Sequence, residues 1–193
     1  MKSLSEWIHV DIASTDAFEN DGPNIDLVVD NFAAAWGGIA YAELSVVLAH
    51  LRYLAMLHQT HHWTAKGDPF WGDHQLFADL YATLVSEIDI VAEKAVGLGS
   101  EANVNLQLQV TQLLKLSHDK GLSQTIPQSS ELAKSSLIAE INLLKILQAA
   151  SESMTSNGTS TPGVENMLQQ LFDTHEKHVY LLKRRCSAPA LGF

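Results

Sequence analysis

The sequence lacks the features that would build a disulfide scaffold, a thiolate metal cluster or a membrane span. Cys186 is the only cysteine, so any metal site must use histidines and carboxylates. No segment approaches the ~18 uncharged apolar residues that cross a bilayer. The opening MKSLSEW has no apolar core of a secretion signal. We therefore expect a cytoplasmic protein.

Basic residues are also scarce, since 12 Lys and Arg face 22 Asp and Glu, for a formal net charge of −10. The imbalance is greatest near the start, where the first thirty residues carry seven acids and only Lys2. The acids there are Glu6, Asp11, Asp16, Glu19, Asp21, Asp26 and Asp30. Such a surface repels phosphate and attracts cations, although ordinary solubility charge is the alternative interpretation.

Apolar residues recur at steps of three and four through most of the chain, which predicts an all-α protein. The pattern gives four long helices and a shorter connecting one. Their predicted ranges are 38–64, 69–97, 102–117 for the connecting helix, 129–153 and 161–185. The fold class is therefore a ferritin-like four-helix bundle with a short extra helix in the crossover between helices 2 and 3. We expect three regions: an acidic N-terminal extension over 1–37, the bundle over 38–185 and a short tail over 186–193.

Four histidines, of nine in all, lie near the predicted first hairpin: His58, His61, His62 and His74. The turn is centred near position 68, so His62 and His74 lie six residues before and after it. In an antiparallel pair they reach a similar level on adjacent helices. Imidazole nitrogen suits iron, zinc and copper, although a lone helical histidine is more often an ordinary hydrogen-bonded group.

Two carboxylates lie further along the second predicted helix. Asp89 and Glu93 are four residues apart, which puts them on one face, where they repel unless a cation or a basic partner lies between them. A solvated pair beside Lys94 is the alternative. His74 lies fifteen residues before Asp89, or about 22 Å along a helix, so one ion cannot bind both within one chain. Either the two groups are unrelated, or a two-fold axis near Ala82 brings them together from two subunits.

The order and spacing of these residues resemble the Dps family of miniferritins, with steps of 12, 15 and 4 between the metal-binding positions. The similarity covers roughly residues 40 to 185. Further matching positions are Trp63, Gly67, Phe70, Phe77, Tyr81, Ala92, Leu98, Gly99 and the closing segments Glu176-Lys177-His178 and Tyr180-Leu181-Leu182.

The resemblance implies a dodecameric cage whose ferroxidase centres lie at two-fold interfaces. Each centre would use His62 and His74 of one subunit with Asp89 and Glu93 of the other. It further implies that non-haem Fe(II) is oxidised, with hydrogen peroxide favoured over dioxygen, and stored as ferric mineral. Ordinary ferritins instead use Glu-x-x-His pairs inside one bundle. The predicted helices contain no such pair, which disfavours a ferritin-type site within a single subunit.

The chain departs from the family pattern at one position. Dps proteins commonly carry a further carboxylate one turn after the second histidine, and Ala78 stands there, with His58 or His61 as candidate substitutes. The resemblance also suggests iron entry through three-fold pores near Glu165 and Asp173. Two alternatives remain: a DNA-compacting protein, and a shell that holds zinc or another metal without turnover.

The charge distribution predicts that the protein binds duplex DNA weakly or not at all at about 150 mM salt, because affinity grows with the phosphates that Lys and Arg neutralise. The only basic run is Lys183, Arg184 and Arg185, at a predicted helix end. A gel-shift titration with a chelator present, to prevent bridging by divalent cations, measures this. Saturable retardation of DNA at submicromolar protein would restore the compaction alternative.

Overall fold

The computed structural model describes residues 39–119 and 129–186. These residues form five α-helices and one short 3-10 helix, and no strand occurs among them. The helices are α1 (Ala42–Thr64), α2 (Phe70–Leu98), α3 (Leu106–Asp119), α4 (Ser129–Ser156) and α5 (Pro162–Cys186), and the 3-10 helix is Glu101–Val104. The all-α prediction is confirmed. The predicted acidic extension and all of the tail except Cys186 lie outside the described residues.

The helices pack as the apolar periodicity predicts. α1 lies against α2 and α4, α5 packs on α4, and α3 covers part of α1 in the crossover. The largest fully buried side chains of the main core come from α1, α2 and α4 at helical spacing: Leu44, Leu48, Leu51, Leu54, Leu84, Leu143, Leu147 and Met154. None of the described helices is both long and apolar enough to cross a membrane.

The α1–α2 turn is tight. Gly67 has φ +81°, a left-handed conformation that favours glycine, and its carbonyl accepts a hydrogen bond from the Phe70 N–H at 2.9 Å. Pro69 occupies the position just before the first residue of α2. This turn fixes how α1 and α2 align.

The start of the crossover is organised by a buried asparagine. The Asn103 amide donates to the carbonyl oxygens of Ala40 and Ala95 at 3.0 and 3.1 Å, and its own oxygen accepts from Ser45 at 2.7 Å. A Cβ on Gly99 would lie 2.6 Å from the Ala40 oxygen and also collide with the Asn103 amide. The chain therefore needs glycine where α2 ends.

A salt bridge joins the start of α2 to the end of α5. Arg185 donates to both carboxylate oxygens of Asp73 at 2.5 and 2.9 Å, and the Asp73 side chain is almost fully buried. Paired hydrogen bonds of this kind fix orientation as well as distance. The last turn of α5 is thereby held against the hairpin.

The packing at Gly99 predicts that Gly99→Ala destabilises the protein by about 1–3 kcal/mol, because backbone and amide atoms must shift to admit the methyl group. Gly97→Ala is the matched control: it lies in the same helix end with nothing within 4 Å of its added Cβ. That substitution should be neutral or stabilise by up to about 1 kcal/mol. Denaturant unfolding at fixed protein concentration measures both, and equal effects would contradict the account of the crossover.

Candidate metal centres

His62 and His74 meet across the α1–α2 hairpin. The Nδ1 atom of His62 lies 2.8 Å from the His74 carbonyl oxygen, and the Nδ1 atom of His74 lies 2.9 Å from the His62 carbonyl oxygen. A carbonyl oxygen only accepts, so each Nδ1 carries the hydrogen and donates it. In a neutral imidazole that donates through Nδ1, Nε2 carries the lone pair that can bind a metal ion.

Aromatic side chains surround this histidine pair. The two imidazole rings stack with centroids 3.8 Å apart at an interplanar angle of 23°. Phe70 lies 5.2 Å from the His74 ring, and Tyr81 lies 5.5 Å from the His62 ring. Both histidines are half-buried. The pair is thus held in one arrangement by its own backbone and neighbours.

Asp89 and Glu93 lie elsewhere on α2. Both are exposed, and α2 runs unbroken from Phe70 to Leu98, so Asp89 is about 22 Å from His74 along the helix. One subunit therefore does not bring the two histidines and the two carboxylates together. The sharing of these four residues between subunits stays a prediction.

The other predicted site residues are placed as follows. Ala78 is half-buried and Asp79 is exposed on α2. Glu165 and Asp173 are exposed on α5, where the Glu165 carboxylate accepts a hydrogen bond from the Ser160 hydroxyl at 2.9 Å. The pore assignment needs several subunits and also stays a prediction.

His58 lies one turn before His62 and was a candidate substitute for the carboxylate that Ala78 lacks, but it does not join the histidine pair. Its side chain is fully buried in the bundle, where Nε2 donates to Glu140 at 2.8 Å and Nδ1 contacts Ser136 at 3.1 Å. The rotation of about 40° between positions four apart on a helix is enough to separate them: His62 faces α2, and His58 faces α4. His61 is buried too and contacts the same Ser136 hydroxyl at 2.8 Å.

His58 belongs to a group of buried ionisable side chains from four helices, called here the interior cluster: His58, Glu87, Glu140, His175 and His178. Glu140 is its centre. The Glu140 carboxylate accepts hydrogen bonds from His58 at 2.8 Å, His175 at 2.6 Å and His178 at 3.2 Å. The second nitrogen of His175 donates to Glu87 at 3.1 Å. The members of the interior cluster do not form the Glu-x-x-His pairs whose absence disfavoured a ferritin-type site within one subunit.

Hydrogen bonds and burial act in opposite directions on the pKa values of the interior cluster. Burial favours the neutral carboxyl of Glu140, but hydrogen bonds from the three histidines outweigh it and hold the pKa of Glu140 well below its usual range. Burial also favours neutral His175, yet its bonds to Glu140 and Glu87 raise its pKa to about 9. Burial lowers the pKa of His58, and lowers that of His61 to about 4. The cluster therefore holds a charged His175 between two carboxylates.

Spacing along the chain did not reveal the interior cluster, because Glu140 lies 82 residues from His58 and 35 from His175. A weaker signal was present. Glu87 falls between Leu84 and Val91 on the apolar stripe of α2, and Glu140 lies on the buried side of α4 between Ser136 and Leu143. A carboxylate on an apolar stripe needs a buried partner.

Comparison with known proteins gives distant relatives. No protein-family model matches the chain. DNA protection during starvation protein 2 from Bacillus anthracis is 23% identical over 128 residues, which cover 63% of this chain and 79% of the relative. An uncharacterized protein from Haemophilus influenzae is 25% identical over 128 residues, covering 65% and 74%.

Solved structures share the fold. An archaeal Dps homologue from Halobacterium salinarum superposes with a TM-score of 0.66 at 14% identity, covering 79% of this chain and 82% of that one. Dps from Thermosynechococcus elongatus gives 0.60 at 18%, covering 76% and 88%, and DpsC from Streptomyces coelicolor gives 0.58 at 19%, covering 79% and 86%. The resemblance to Dps proteins and the ferritin-like bundle that it implies are confirmed.

The raised pKa of His175 predicts a pH-dependent contribution to stability. A group whose pKa rises on folding stabilises fully below its unfolded pKa of about 6.5, and this contribution disappears as the pH rises through its folded value. In chelator-treated protein, His175→Gln should therefore cost about 2–4 kcal/mol more at pH 6 than at pH 9. Denaturant midpoints of both proteins at the two pH values test this, and a cost independent of pH would show that folding does not raise the pKa of His175.

Proposed function

We propose that this protein is a cytoplasmic iron-detoxifying and iron-storing ferroxidase. It binds Fe(II) at centres shared between two subunits, oxidises it with hydrogen peroxide and keeps the ferric mineral inside a dodecameric shell. His62 and His74 of one subunit and Asp89 and Glu93 of the other hold the iron. The observation that carries the proposal is the reciprocal hydrogen bonding of the histidine pair, combined with the likeness to Dps proteins in sequence and fold.

Reciprocal hydrogen bonding supports a metal-binding role for a physical reason. Ligating histidines usually donate the hydrogen on their other nitrogen to a carbonyl or carboxylate oxygen, which fixes the tautomer and the ring orientation. His62 and His74 each have that bond before any metal arrives. The conformational cost of ordering the two ligands is therefore largely met during folding.

The outer face of α2 supports a shared centre. Trp71, Val85 and Ile90 are 71%, 64% and 49% exposed, more apolar surface than a helix in water normally leaves uncovered. Ala82 is exposed between His74 and Asp89 and lets two helices approach closely. An antiparallel copy of α2 crossing near Ala82 would cover this face and bring the partner's carboxylates to the histidine pair, giving two equal centres per dimer.

The reaction balances at such a centre. Two Fe(II) ions each give one electron to hydrogen peroxide, whose O–O bond breaks, and two protons complete two water molecules. Asp89 and Glu93 favour the product because hard anionic oxygen stabilises the higher charge of Fe(III). The reaction consumes Fe(II) and hydrogen peroxide, the two reagents that would otherwise form hydroxyl radicals.

The alanine at position 78 favours a second candidate function. In it, the protein forms a shell that holds zinc or iron without efficient turnover. The commonly expected carboxylate is absent at this half-buried position. With one ligand fewer, the second position binds metal more weakly. The two-electron reduction of peroxide needs an iron ion at both positions. Measured ferroxidase turnover separates the two functions.

The shared centre predicts complementation between inactive variants. His62→Ala and Asp89→Ala should each lose fast Fe(II) oxidation, roughly 10-fold or more, as the loss of a metal ligand implies. Shells assembled from a mixture of the two should regain part of the rate, because one of the two centres in each hybrid dimer has all four ligands intact. Peroxide-dependent Fe(III) formation, followed by absorbance, gives the rates.

Asp79→Ala is the matched control, since it removes an exposed α2 carboxylate outside the proposed centre and should leave the rate unchanged. Assembly of each variant is checked by light scattering. Hybrid shells that assemble and yet stay as inactive as either parent would rule out a centre shared between subunits.

A further inference from the structure

The interior cluster is not required by the shared centre, and ordinary core packing does not explain it. Two carboxylates and three imidazoles occupy the centre of the bundle, where apolar side chains of similar volume would cost less to bury. Glu140, His58 and His175 are completely buried, and Glu87 and His178 are nearly so. The arrangement spans α1, α2, α4 and α5 of a single chain.

Three members of the interior cluster have the geometry of metal ligands. One ligand atom each from Glu140, His175 and His178 lies within 4.8 Å of the other two. His175 and His178 are three residues apart on α5 and so share a face, and Glu140 faces them from α4. Two ligand atoms that each lie ~2.0–2.2 Å from one ion are themselves roughly 3–3.5 Å apart, so an ion would push His175 Nδ1 away from its present 2.6 Å contact with Glu140 and leave the three residues close together.

Two neighbouring residues, Glu87 and His58, hydrogen-bond to members of this trio as supporting groups do to metal ligands. His175 directs Nδ1 at Glu140 and Nε2 at Glu87, so an ion bound to Nδ1 leaves the Nε2 hydrogen bond to the Glu87 carboxylate in place. This carboxylate–histidine–metal arrangement orients a ligating imidazole and increases its basicity. His58 donates to the same Glu140 carboxylate and is itself held by Ser136.

We propose that each subunit binds one divalent first-row transition-metal ion inside its bundle through Glu140, His175 and His178, with Glu87 and His58 as supporting residues. Two imidazole nitrogens and one carboxylate oxygen suit Fe(II), Zn(II) or Co(II), and three protein ligands leave a coordination position open. Each histidine would bind the ion through Nδ1 as a neutral imidazole with its remaining hydrogen on Nε2, so the extra proton of the charged His175 would be released. The site is complete within one chain and does not depend on the shared centre.

Cobalt chloride is the probe, because the visible absorption of Co(II) reports its ligands and its titration gives the stoichiometry. The background is the assembled full-length protein carrying His62→Ala and His74→Ala, which removes the shared centre. We expect this protein to bind about one Co(II) per chain with an absorption band typical of mixed nitrogen and oxygen ligands. Further substitutions are then made in this background.

His178→Gln should abolish the band and weaken Co(II) binding at least 10-fold, as Glu140→Gln should in the same background. His178 makes a single hydrogen bond within the cluster, at 3.2 Å the longest of the four. Its replacement should therefore disturb folding least, and it still tests the site if Glu140→Gln does not fold. His50→Gln is the matched control: this α1 histidine is also buried, but its Nδ1 bonds to the Val46 carbonyl outside the cluster. It should bind Co(II) as the background does.

Two results would overturn the proposal. One is a folded, assembled background protein that takes up no Co(II). The other is a His178→Gln variant that keeps both the band and the affinity of the background. Because the shared centre is removed throughout, neither result bears on iron oxidation by His62, His74, Asp89 and Glu93, and complementation between variants of that centre does not bear on the interior site.

Discussion

The buried carboxylate of Glu140 is the group on which the arrangement of the bundle depends. A negative charge that is completely removed from water is tolerated only with close donors, and Glu140 has three of them. His58 ties α4 to α1, and His175 and His178 tie it to α5. Through His175 the same network reaches Glu87 on α2. Four helices must therefore keep one register, whereas leucine contacts alone would tolerate sliding.

The helix α2 contributes residues to the interior cluster and to the proposed shared centre, because its two faces have different surroundings. Its inner face carries Leu80, Leu84, Val91 and one carboxylate, Glu87, which turns toward His175. Its outer face carries Ala82, Val85 and Asp89, with His74 near one end. A helix of 29 residues is long enough to hold His74 and Asp89 about 22 Å apart. That separation is what makes the outer group incomplete in a single subunit.

Local signals in the sequence were enough to predict the helices and the meeting of His62 with His74. Both depend on short-range physics: apolar spacing gives the helices, and a tight turn at Gly67 fixes which residues of a hairpin lie side by side. The interior cluster depends on how α1, α4 and α5 pack against one another. His58 and Glu140 are 82 residues apart, and no local spacing in the sequence shows that they meet. His58 shows the limit most clearly, since a one-turn step from His62 suggested a neighbour while the bundle directs the side chain inward.

The two proposed metal centres differ in whether one chain or two chains supply the ligands. Metal bound at each centre would therefore stabilise a different state of the protein. A ligand stabilises whichever state binds it. Metal at the proposed shared centre would therefore favour assembled subunits, because separated subunits keep His62 and His74 but lose the partner's carboxylates. Metal held by Glu140, His175 and His178 favours the folded subunit whether it is assembled or not, since all of its ligands come from one chain. Ala78 offers no carboxylate to the proposed shared centre, which would weaken the first effect and not the second. Dilution that separates the subunits should then release metal from one centre while the other retains it.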